Sequence, residues 1–90
     1  MDSATERNNS LRKEILFQLY AVRPSPRTPA VIINEARKQH MDFTMTEIQS
    51  ELEYLTDQGL LIPITMSGTS ERLYRIHANG VNLYEREYSA

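Results

Sequence analysis

The stretch from Thr44 to Ile76 leaves this chain few ways to fold. Thr44-Met45-Thr46-Glu47 has the spacing of a capping box, in which the threonine hydroxyl accepts from the third helical amide and the glutamate carboxylate accepts from the amide of the cap residue. A helix therefore starts at residue 44. Ile48, Leu52 and Leu55 then recur at helical spacing, and Gly59 supplies the left-handed backbone with which many helices close. Two strands are predicted directly afterwards, Leu60 to Met66 and Glu71 to Ile76, joined by the polar link Ser67-Gly68-Thr69-Ser70, which has hairpin length.

With 90 residues the chain has material for one small core, so this helix and hairpin must be packed by whatever else the sequence provides. Residues 9 to 90 are expected to form that single domain, and residues 1 to 8, which carry no apolar period, a disordered tail. A first helix is predicted from Asn9-Ser10, either of which can cap it, to about Val22. Leu11, Ile15, Leu19 and Val22 line its core face, while Leu16, Phe17 and Tyr20 fall on the opposite side. That second face needs its own cover. Val81, Leu83, Tyr84 and Tyr88 of a short C-terminal helix can supply it, from the same chain or from a partner, so Leu16, Phe17, Tyr20, Val81, Tyr84 and Tyr88 mark a candidate dimer or partner face.

Between these segments, Arg23-Pro24-Ser25-Pro26-Arg27-Thr28-Pro29 cannot continue a helix, because proline lacks an amide donor and restrains the residue before it. It ends in a start signal. Thr28 can cap a second helix with Pro29 at its first position, and Ile32, Ile33 and Ala36 give that helix its apolar face as far as His40, expected to be partly buried at the helix end. Met41-Asp42-Phe43 is then a short turn with Phe43 as its apolar plug, so the second and third helices read as a helix-turn-helix.

Charge and chemistry narrow the function. Residues 1 to 40 carry seven Lys or Arg against four acids, residues 41 to 60 carry five acids and no Lys or Arg, and residues 61 to 90 balance, for a formal net charge of −2. Such a chain does not present the basic field of a sequence-independent nucleic-acid binder. There is no Cys, and His40 and His77 are the only imidazoles, so no metal site and no cofactor is expected. No Gly-rich phosphate loop and no triad spacing is present, so an enzyme is not expected either. The polar, acidic start lacks the regions of a secretory signal and no apolar run could span a bilayer, which points to a cytoplasmic protein without a membrane partner.

The order helix, helix-turn-helix, hairpin and short terminal helix resembles the winged helix-turn-helix family of bacterial and phage DNA-binding domains, and is similar to small winged-helix proteins of Mu-like prophages. Residues Thr46-Glu47-Ile48-Gln49-Ser50-Glu51-Leu52-Glu53-Tyr54-Leu55-Thr56-Asp57-Gln58-Gly59-Leu60-Leu61 look like the recognition helix and its exit into the wing, and Tyr74-Arg75-Ile76-His77-Ala78-Asn79-Gly80 looks like the second wing strand and following turn, with His77 where Thr is commoner. The resemblance covers residues 10 to 86. It implies an α+β fold, with a three-helix core, a two-stranded β-hairpin wing and a short C-terminal helix. It also implies a small transcriptional regulator that binds double-stranded DNA sequence-specifically, with the third helix in the major groove and the wing on the backbone.

On that reading Thr46, Gln49, Ser50 and Glu53 face the bases, while Arg23, Arg27, Thr28, Arg37, Lys38, Thr44, Arg72 and Arg75 are the candidate phosphate contacts. Four carboxylates on the third helix, at 47, 51, 53 and 57, oppose it. The alternative is a winged-helix protein-interaction module with little or no DNA binding, docking through the acidic third helix or the second face of the first helix. Homodimerisation stays open, since Val81 to Tyr88 spans only about two turns, short for an obligate interface.

Overall fold

The structure is a computed structural model that describes residues 3–88. It is α+β, with helices α1 (Ser3–Ala21), α2 (Pro29–Lys38), α3 (Met45–Asp57) and α4 (Ala78–Glu87), and strands β1 (Leu61–Thr65) and β2 (Arg72–Ile76) in one antiparallel hairpin. Among the described residues no helix is long and apolar enough to cross a membrane.

Local chemistry sets the bounds of the two central helices. Thr28 accepts from the Val31 amide at 3.2 Å with Pro29 at the first helical position. Thr44 accepts from the Glu47 amide at 3.1 Å while Glu47 accepts from the Thr44 amide at 2.9 Å, closing the capping box. At the far end of α3, Gly59 has φ +76°, and the amide of Leu60 reaches back to the Leu55 carbonyl at 3.0 Å, the arrangement of a Schellman motif. The third helix is thus fixed at both ends.

α2 ends by the same device with a different residue. The Met41 amide donates to the Ala36 carbonyl and the His40 amide to the Arg37 carbonyl, both at 3.0 Å, with His40 at φ +62° where glycine is usual. His40 is therefore exposed, not partly buried as the sequence suggests, because the helix stops at Lys38 and the left-handed turn swings the imidazole outward.

Ile48, Leu52 and Leu55 are fully buried, as are Leu11, Ile15, Leu16 and Leu19 of α1 and Ile32 of α2. Leu16 is a correction. It lies inside the domain and cannot belong to an outward partner face, since α4 of the same chain packs along α1 and closes over it. Val22 lies beyond the end of α1, outside the core stripe that its spacing predicts it to complete.

β1 pairs with β2 in the register Leu61 with Ile76, Pro63 with Tyr74 and Thr65 with Arg72. Tyr74 exchanges both backbone hydrogen bonds with Arg27 at 2.9 Å, so its polar groups face away from β1 and those of its cross-strand partner Pro63 face the outer edge of the hairpin.

Two segments depart from expectation. Residues 3–8 continue α1 as helix where a tail is expected; residues 1 and 2 lie outside the described residues. α4 begins at Ala78, capped by His77, whose Nδ1 accepts from the Asn79 amide at 2.9 Å. Gly80 sits inside this helix because a Cβ there would collide with the Leu60 carbonyl oxygen and lie 2.8 Å from Ile76 Cγ1.

Two stability measurements check this description. Leu52→Ala removes a fully buried side chain and is expected to cost about 2–5 kcal/mol, read as a large drop in thermal midpoint. His40→Gly relieves a left-handed residue and is expected to raise stability by up to about 1 kcal/mol; a lower midpoint would contradict the turn geometry.

Candidate functional site

With Ile48, Leu52 and Leu55 turned inward, the outer surface of α3 carries Thr46, Gln49, Ser50, Glu53, Tyr54 and Asp57, all exposed. These residues form a ridge with a cleft on either side. One cleft, of about 550 Å³, separates Gln49 and Glu53 from Pro29 and Ala30 at the start of α2 and from Ser70 and Arg72 of the hairpin. The other, of about 260 Å³, lies between α3 and the N-terminal half of α1, with Thr46 and Ser50 facing Asn8 and Leu11.

The four carboxylates of α3 divide into two pairs. Glu47 accepts from Arg7 Nε at 2.6 Å and from Nη2 at 2.9 Å, and the same Nη2 donates to the Asp42 carbonyl at 2.6 Å. The Arg7 guanidinium also lies 5.0 Å from the centroid of the Phe43 ring. The hydrogen bond from Arg7, reinforced by the Thr44 amide, holds the Glu47 carboxyl down to about 2. Glu51, buried, accepts from Arg12 Nε at 2.8 Å, and the Arg12 guanidinium lies 4.9 Å from the Tyr54 ring centroid. Glu53 and Asp57 are exposed and make no ion pair among the described residues.

The cations expected to surround α3 do not all reach it. Arg72 lines the larger cleft beside Gln49 and Glu53. Arg37 is exposed and shares a stripe of α2 with Asn34 and Ala30, the residue that walls the same cleft. Arg75 alternates to the outer face of the hairpin, opposite Ile62. Arg23 stacks 3.9 Å from the Tyr20 ring centroid and donates to the Tyr20 carbonyl at 2.8 Å. Arg27 is held by its bridge to Tyr74 and reaches Gln18 Oε1 at 3.4 Å, while Lys38 pairs with Glu35 at 3.1 Å. The hydroxyls of Thr28 and Thr44 accept from helix amides.

On the opposite side of the molecule, the second face of α1 is covered from within the chain. Tyr20 donates to Glu85 at 2.7 Å, a bond that holds its phenol proton above the usual range, and its ring meets Tyr84 at 4.6 Å. Tyr84 also meets Tyr88 at 5.8 Å and Phe17 at 6.3 Å, and Val81 packs against the core. Phe17 is left 46% exposed, the largest remnant of the candidate partner face.

Sequence reasoning misses Arg7 and Arg12. Nothing in the local pattern connects residue 7 to residue 47; only the length of α1 brings them together. No family model matches the sequence, and no curated protein matches it.

The ion pair at Glu47 has a pH signature. Its folded carboxyl lies below the ordinary range, so the stabilisation is complete above about pH 4.5 and is lost as pH falls towards about 2. Arg7→Met is expected to lower the thermal midpoint at pH 7, and the gap to the parent protein should narrow as both are acidified to pH 2, leaving the part due to the Asp42 carbonyl and the Phe43 ring.

Proposed function

We propose that this chain is a winged helix-turn-helix domain that binds double-stranded DNA sequence-specifically in the cytoplasm, as a small transcriptional regulator of bacterial or phage type. The observation that carries the reading is the exposed polar ridge of α3, fixed at both ends and standing between two clefts with the hairpin tip beside it. A helix about 10–12 Å across fits a major groove about 12 Å wide. In that position Gln49 pairs with adenine, Thr46 and Ser50 bond bases or phosphates, and Glu53 accepts from the amino group of cytosine.

Two of the four carboxylates that oppose such contact are compensated from α1, which lowers the repulsion that the sequence alone implies. On this reading Arg72 and Arg37 are the cations that meet phosphates, and Thr28 and Thr44, whose hydroxyls accept from helix amides, each keep an O–H to donate to a phosphate. So few cations imply shallow salt dependence. Two or three neutralised phosphates per protomer correspond to a slope of log affinity against log salt of about −2 to −3.

A second reading keeps the winged helix but makes it a protein-interaction module. It draws on Glu53 and Asp57, which remain uncompensated on the ridge and suit a basic protein surface. Selection from randomised duplex DNA at low salt separates the two. DNA binding predicts an enriched motif, and replacing Gln49 and Ser50 together by Ala should flatten the preference by about 1–3 kcal/mol per lost base contact. An unenriched pool, or a motif unaffected by both substitutions in a folded protein, removes α3 as the reader.

A further inference from the structure

We infer that the N-terminal half of α1 is a second wall for the DNA backbone, facing the phosphodiester strand on the flank of α3 away from the hairpin. The inference rests on the DNA-binding reading of α3. A duplex that receives a helix in its major groove carries one backbone past each flank of that helix, and a helix of ordinary width fills the groove. One flank of α3 meets Arg72 and the start of α2 across the larger cleft. The other flank meets α1. There Thr46 and Ser50 share a cleft with Asn8, an exposed residue of the first helix.

Two acids stand in that smaller cleft, and without compensation they would repel a phosphate. Both are already answered: Glu47 by Arg7 and Glu51 by Arg12. Arg7 uses Nε and Nη2 in its contacts with Glu47 and Asp42, so Nη1 keeps its two donors, and its side chain is 45% exposed. An incoming phosphate can therefore bond the Asn8 side-chain amide in the cleft without breaking the ion pair that holds α1 on α3, and the spare Arg7 Nη1 donors belong to the neighbouring residue, outside the cleft lining. The hydroxyls of Thr46 and Ser50 line the same cleft. This assigns a role to the helical residues from 5 to 8, which are all exposed.

Arg7 also supports the fold, so the test uses Asn8, where Lys and Glu are both better helix formers than Asn. Binding of the selected duplex is measured across a salt series for Asn8→Lys and Asn8→Glu, with Asn82→Lys and Asn82→Glu on the exposed side of α4 as charge-matched controls. Asn8→Lys should tighten binding several-fold at low salt beyond its control and steepen the salt slope by about one. Asn8→Glu should weaken binding beyond its control. A selected duplex bound by all four variants with changes no larger than those of the controls overturns the wall and leaves α3 as the reader. Failure of the parent protein to retain any selected duplex removes the wall together with the proposed function.

Discussion

A single carboxylate ties three parts of the chain together. Glu47 accepts the amide of Thr44 and so completes the first turn of α3; it also receives the guanidinium of Arg7, which in turn holds the carbonyl of Asp42. The start of α3, the turn before it and the first helix are therefore positioned by one network. Phe43 is buried in the turn beneath the Arg7 guanidinium. This network and the buried stripe of Ile48, Leu52 and Leu55 together hold α3 on α1 with its polar ridge facing outward.

Much of this architecture can be read from local chemistry. Thr44 with Glu47, Thr28 with Pro29, and Gly59 each announce their role within four residues, and the structure realises each as a cap or a stop. The apolar stripe at 48, 52 and 55 is buried as its period implies. What cannot be read depends on distant segments. Residues 3–8 have no apolar period, and an ion pair spanning forty positions of sequence ties that end of α1 to α3. His40 carries no sign that it takes the left-handed place of a glycine. Leu16 looks outward only because the sequence does not say which chain brings α4 against α1.

Counting charges by segment gives residues 41–60 a strongly acidic character, yet in three dimensions half of the α3 acids belong to α1 as much as to α3. Two arginines expected near α3 are likewise engaged elsewhere, Arg23 on the Tyr20 ring and Arg27 on Gln18. Charge pairing across segments therefore redraws the surface that the sequence suggests. The charge left on the ridge is mixed, with Glu53 and Arg72 lining one cleft.

The hairpin edge carries a further consequence. On one side the second strand is already occupied by Arg27, and on the other the first strand presents Pro63, whose ring nitrogen has no hydrogen to offer. A foreign peptide in extended form, or the edge of a neighbouring copy, meets an interrupted ladder on either side. What the hairpin shows along its edges is therefore side chain more than open main chain.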